Sequence, residues 1–114
     1  MLATLLAVAA LAENSAADYA EVDDDSMMVE AYGMTVEELE DLDVFTADGV
    51  RIGEVEEALV DSTGTVSAVA VEFEGFTGLK DKEVIVRLDA LTLDGTRLIT
   101  DLDESEAASL PRWD

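Results

Sequence analysis

The side chains of this chain that could do chemistry are almost all carboxylates. Of 114 residues, 28 are Asp or Glu and 6 are Lys or Arg, and neither His nor Cys occurs. Imidazole bases, thiol nucleophiles and thiolate zinc sites are therefore excluded. Glu56 with Glu57, and Glu72 with Glu74, are the pairs to weigh for general acid–base work of the glycosidase kind, which sets two carboxyl groups at a fixed separation across a concave site. Glu72 and Glu74 share a strand face. Acids this abundant form pairs by chance, so the expectation is no enzyme, no catalytic residue and no cofactor. Asp23, Asp24, Asp25, Glu30, Glu37 and Glu38 form a second acidic group that could attract a divalent cation. No EF-hand spacing accompanies it, because Asp41-x-Asp43 and Asp101-x-Asp103 lack the next ligand and the invariant glycine. No metal ligand is assigned, and any association with divalent ions is expected to be weak and diffuse.

The formal net charge of −22 sets the class of partner. Nucleic-acid binding needs Lys and Arg to displace counterions from phosphates, so nucleic acid is excluded as a partner. Anionic membrane surfaces are disfavoured for the same reason. Cationic partners remain. So does a reading that needs no partner, in which the charge keeps the protein soluble in saline surroundings that screen its self-repulsion.

None of that charge lies in residues 1–12, MLATLLAVAALA. An apolar run ending in small-x-small before Glu13 has the form of a signal peptide cleaved after Ala12, although no basic residue precedes it. The expected location is outside the cytoplasm, in the periplasm. Twelve residues are too few to cross a hydrocarbon core of about 30 Å, so no transmembrane span is expected. An apolar N-terminal helix docked on the domain is the competing reading.

Residues 13–34 have no clean period and no basic residue, and are expected to form an acidic flexible lead. Met27, Met28, Val29, Tyr32 and Met34 are its exceptions, able to pack on the domain or on a partner. Residues 35–114 carry the domain. Thr35 and Glu38 form a capping box over one helical turn, and Asp103 with Glu106 predicts a second short helix that Pro111 stops. Between them the pattern is that of strands: Val44–Thr46, Arg51–Val60, Val66–Phe73, Glu83–Leu88, Leu91–Leu93 and Arg97–Thr100. Asp48-Gly49 and Asp94-Gly95 predict tight hairpin turns, Gly64 another turn, and Gly53 a bulge. The predicted fold is all-β: a small six-stranded antiparallel β-barrel with a short helix at each end, closed because an open sheet would leave two poorly protected edges.

The segment from Leu39 to Trp113 resembles the PRC-barrel family. Val44-Phe45-Thr46-Ala47-Asp48-Gly49-Val50-Arg51-Ile52-Gly53-Glu54-Val55 is similar to the opening hairpin of that family, with its Asp-Gly turn into an Ile-Gly-x-Val strand. Leu59-Val60-Asp61 with Gly64, the loop Phe76-Thr77-Gly78-Leu79, Val84-Ile85-Val86, the corner Leu88-Asp89-Ala90-Leu91 and the terminal Leu110-Pro111 follow in the same order. The resemblance implies a six-stranded barrel used for docking rather than catalysis. Relatives include the reaction-centre H subunit and a ribosome maturation factor, but neither role transfers to a chain of this make-up.

The expected contact surface is the loop Glu74 to Lys82, with Phe76 and Leu79 as apolar anchors and Lys80 and Lys82 as rare cations beside them. In the competing reading Phe76 and Leu79 plug the barrel and the lysines offset Asp81 and neighbouring acids. Trp113 is expected to fold back across one end of the barrel. The expected function is non-enzymatic protein–protein docking in the cell envelope, with an unidentified protein partner, either free or membrane-associated; the alternative is an acidic envelope protein that buffers cations or supports ionic or osmotic tolerance.

Overall fold

A computed structural model describes residues 15–113, so the apolar run at 1–12 and its cleavage point lie outside the described residues. In chain order the elements are β1 (Ala20–Glu21), β2 (Met28–Val29), β3 (Met34–Thr35), α1 (Val36–Glu40), β4 (Asp43–Thr46), β5 (Arg51–Val60), β6 (Val66–Glu72), β7 (Glu83–Arg87), β8 (Leu91–Asp94), β9 (Arg97–Thr100) and α2 (Glu104–Ala108). The fold is mostly β, a curled half-barrel. Its seven-stranded sheet runs β7-β6-β5-β4-β9-β8, with β1 added beside the far end of β5.

Two features depart from an antiparallel six-stranded barrel. β4 and β9 pair in parallel, from Asp43 opposite Arg97 to Thr46 opposite Thr100, so the sheet is mixed. The ends of the order, β7 and β8, are not paired with each other among the described residues. Both edges are managed without closure. The C-terminal segment runs along β7, where the Ile85 amide donates to the Pro111 carbonyl at 2.8 Å and the Trp113 amide to the Glu83 carbonyl at 2.9 Å. At the corner between β7 and β8, the Tyr32 hydroxyl donates to the Leu88 carbonyl at 3.0 Å and to that of Leu91 at 3.3 Å. Pairing or covering edges in this way removes the exposed backbone groups that make open sheets sticky.

The turns follow from local chemistry. Thr46 and Val50 close the β4–β5 loop, with Gly49 at φ 89°, a left-handed conformation that costs a side chain dearly and glycine almost nothing. Gly64 and Gly95 take positive φ in the β5–β6 and β8–β9 loops. Gly53 has no positive φ. A Cβ there would lie 2.5 Å from the Glu72 carbonyl oxygen, so its hydrogen side chain is what lets β5 approach β6. Both helices carry reciprocal capping boxes: the Glu38 amide donates to Thr35 Oγ1 at 3.2 Å, and the Glu106 amide to Asp103 Oδ1 at 2.8 Å.

Three register shifts shape β5. Pairing Val44 with Gly53 and Phe45 with Arg51 leaves Ile52 as an extra residue. Glu56 is extra between the pairs Val55–Val71 and Glu57–Ala70, and on β6 Ser67 is extra between Ala68 and Val66. Each bulge re-aims the strand. Ile52, Val55 and Ala58, three residues apart, consequently all reach the main core with Val69, Val71, Phe73, Val84 and Val86.

The acidic lead differs from the flexible segment expected. Val22 and Val29 are buried, and Met27, Tyr32 and Met34 pack against the same core. Five apolar side chains among the acids gain enough burial to hold residues 20–35 on the sheet.

Candidate functional site

Strand pairing assembles what the sequence scatters. Alternation along β4 to β7 turns Val44, Val55, Val71 and Val84 into the core, and their neighbours Asp43, Glu54, Glu72 and Glu83 onto the outer face. Asp43 lies opposite Glu54, Glu54 opposite Glu72, and Glu72 opposite Glu83. Four carboxylates therefore form one row across four strands, where like charges directly opposite are unfavourable. Arg51 offsets one end of it: its guanidinium meets Glu74 at 2.6 Å, Asp43 at 3.1 Å and Glu54 at 3.4 Å.

The next row of the same face joins charge to hydrocarbon. Glu57 lies opposite Ala70, which lies opposite Ile85. Ala70 and Ile85 belong, with Leu59 and Ala68, to a second buried cluster covered by Ala16, Tyr19 and Trp113. Trp113 thus packs on the outer face of the sheet rather than across an end of the barrel. The outer face has an acidic half and an apolar half, and Glu56 and Glu57 sit on their border.

That border sets the acid–base behaviour. Burial pushes Glu56 up to about 7, reinforced by a hydrogen bond with the Glu54 carboxyl and by the charges of Glu54, Glu72 and Glu83. Burial likewise pushes Glu57 up to about 7, with the charge of Glu21, a hydrogen bond to that carboxyl, and the charges of Glu40 and Glu83 adding to it. Glu72 is raised by burial and by Glu74, Glu54 and Asp81. Carboxylate oxygens of Glu54, Glu56 and Glu72 come within 4.8 Å of one another. Like charges this close repel one another.

Of the pairs weighed for acid–base work, Glu72 belongs to the outer row, and the Glu74 carboxylate is engaged by Arg51. None of Glu56, Glu57, Glu72 and Glu74 lines the cleft between Tyr19, Tyr32, Val60, Arg87 and Asp89.

The expected contact loop is built into the fold. Leu79 is buried, and Phe76 stacks on Phe73 with ring centroids 5.2 Å apart. The Gly78 amide donates to Glu104 Oε2 at 3.3 Å, tying the loop to α2. Lys80 is exposed and Lys82 half-buried at its rim. Asp48, Gly49, Gly64 and Gly95 occupy turns, Asp94 ends β8 opposite Arg97, and Gly53 occupies the close approach of β5 to β6.

The PRC-barrel domain matches residues 33–107. The chain belongs to the PRC-barrel family. No curated protein matches it. The family segment of this PRC-barrel protein includes the acidic row and both border glutamates, whereas β1, β2 and Trp113 lie outside it. Sequence reasoning found Glu56, Glu57 and Glu72 as acids but not as neighbours; only the strand register brings Asp43, Glu54 and Glu83 beside them.

Proposed function

We propose that this PRC-barrel protein is a non-enzymatic docking module of the cell envelope that engages a cationic protein partner through its outer acidic row. The observation that carries the reading is the in-register set Asp43, Glu54 and Glu72, which retains an excess of negative charge with Arg51 as its neighbouring cation. A surface of one sign steers an oppositely charged partner and fixes its register. Apolar anchoring is poorly supplied by comparison: the exposed large hydrophobics among the described residues are Met28 and Val50, on separate parts of the chain. The envelope location follows from the apolar run at 1–12 and rests on the sequence.

Calorimetric titration of the full chain with a short lysine-rich peptide tests it. Saturable binding in about 0.15 M salt, lost in the E54Q/E72Q variant, is the expected result. Heat that never saturates, or that the variant retains, overturns the row as a docking surface. Saturable heat with calcium ions and none with the peptide overturns it in favour of a cation-buffering role.

A further inference from the structure

A cleft of about 1040 Å³ opens where four stretches of chain meet: the turn before β1, the β2–β3 loop, the β5–β6 loop and the corner after β7. That is about the size of a small-molecule site. Val66 and Leu88, both buried, give it an apolar floor beside the half-buried Val60. Tyr19 and Tyr32 supply aromatic surface, and Asp18, Asp61, Asp89 and Arg87 supply charge. The family match begins at residue 33, so both tyrosines and Asp18 come from the acidic lead, while the remaining charges come from the family domain. The lead therefore turns one end of the sheet into a cleft.

The aromatic groups are held in place and stay neutral. The Tyr32 hydroxyl is fastened to the Leu88 and Leu91 carbonyls at 3.0 and 3.3 Å. Tyr19 packs on the Leu59–Ala68–Ala70–Ile85 cluster with one side and lines the cleft with another. Burial raises both phenols, that of Tyr32 to about 12. The charges of Arg87, Asp18, Asp61 and Asp89 all act on the Tyr19 phenol, so these groups converge on one ring.

Three carboxylates against one guanidinium leave the lining negative. Each carboxylate already has a donor. Asp18 accepts from the Ser15 amide at 3.0 Å, Asp61 from the Thr63 amide at 2.9 Å, and Asp89 from Arg87 at 2.6 Å. What the cleft calls for is positive charge without further donors. A primary amine would compete with bonds already made, whereas a quaternary ammonium donates none. Its methyl groups suit apolar and aromatic walls, and its charge is drawn to the faces of tyrosine rings.

We propose that this cleft binds a small quaternary ammonium ion of the choline class, its methyl groups against Tyr19 and Tyr32 and its charge offset by Asp18, Asp61 and Asp89. The site is separate from the acidic row and does not depend on what that row engages.

Calorimetric titration of the full chain with choline, at a constant ionic strength of about 0.15 M, tests it. One saturable site with a dissociation constant of about 1 mM or tighter is expected. The neutral isostere of choline, with a tert-butyl group in place of the trimethylammonium, is expected to bind about tenfold more weakly or worse. Y19L keeps hydrocarbon over the buried cluster but removes the ring, and should weaken choline binding about tenfold. D18N/D89N alters two exposed side chains and leaves the core packing intact, so it tests the charges in a protein that folds; a loss of about tenfold is expected there too. E54Q/E72Q should bind choline as the wild type does. The proposal is overturned by choline heat that does not saturate below about 50 mM, or by a neutral isostere that binds equally well. Undiminished affinity in D18N/D89N also overturns it, placing the cation elsewhere on the acidic surface.

Discussion

Arg51 shows how much one residue can depend on its register. It is a single cation among Asp43, Glu54 and Glu74, and the Asp43 and Glu74 carboxylates hold its guanidinium above its usual range. Exposed ion pairs are individually weak, but this one relieves a repulsion that the sheet itself imposes. Replacing it, as in R51M, is expected to lower stability by about 1 kcal/mol at low salt and neutral pH. Most of that loss should return in about 1 M salt, where the screening length falls to about 3 Å. Thermal unfolding of both proteins across a salt series checks it, and a loss insensitive to salt would assign Arg51 a packing role instead.

At the scale of elements, β5 organises the molecule. It pairs with β4 and β1 along one edge and with β6 along the other. Its bulges at Ile52 and Glu56 keep Ile52, Val55 and Ala58 in the core and push two adjacent glutamates onto the outer border. Gly53 permits the approach to β6, with the Glu72 carbonyl oxygen and Phe73 Cα at 2.5 and 3.2 Å from the position of a Cβ. Both are backbone atoms, so neither can swing away. The G53A substitution is expected to cost about 1–3 kcal/mol, read as a lowered urea midpoint. An unchanged midpoint would mean that β5 and β6 separate at this point with little penalty.

The whole molecule should be most stable in mildly acidic solution. Glu56 and Glu57 titrate near 7 in the folded protein, above their ordinary 4.5, so the fold binds protons that the unfolded chain releases between those values. Their contribution is complete below about pH 4.5 and is lost as pH rises through about 7. Asp61 works in the opposite sense, held low by hydrogen bonds from the Thr63 side chain and amide, and its contribution is lost as pH falls below the ordinary carboxylate range. Stability is therefore expected to peak near about pH 5 and to decline by about 1 kcal/mol or more toward pH 8, after allowance for solvent screening. A thermal-unfolding series over pH reads this directly. In the E56Q/E57Q variant the decline should flatten, and a curve unchanged from the wild type would move the titration to other groups.

Much of this was written in the sequence because it depends on neighbours along the chain. The capping boxes Thr35–Glu38 and Asp103–Glu106 form within one helical turn, and Gly49, Gly64 and Gly95 turn the chain over three or four residues. The alternation of Val84 and Val86 with Glu83 and Ile85 marks a strand, and the order of these pieces carries the family. The charge, and the absence of His and Cys, narrow the chemistry whatever the fold. What the sequence does not contain is the register between strands far apart in the chain. One extra residue at Ile52, Glu56 or Ser67 slides a strand against its neighbour and changes which side chains meet. Only the assembled sheet decided that Asp43, Glu54, Glu72 and Glu83 stand in one row and that β4 runs parallel to β9. It also decided that Phe76 stacks inward on Phe73, and that a two-residue strand sets Glu21 opposite Leu59. Local rules act over a few residues; contact between distant strands is settled by the core they must jointly fill.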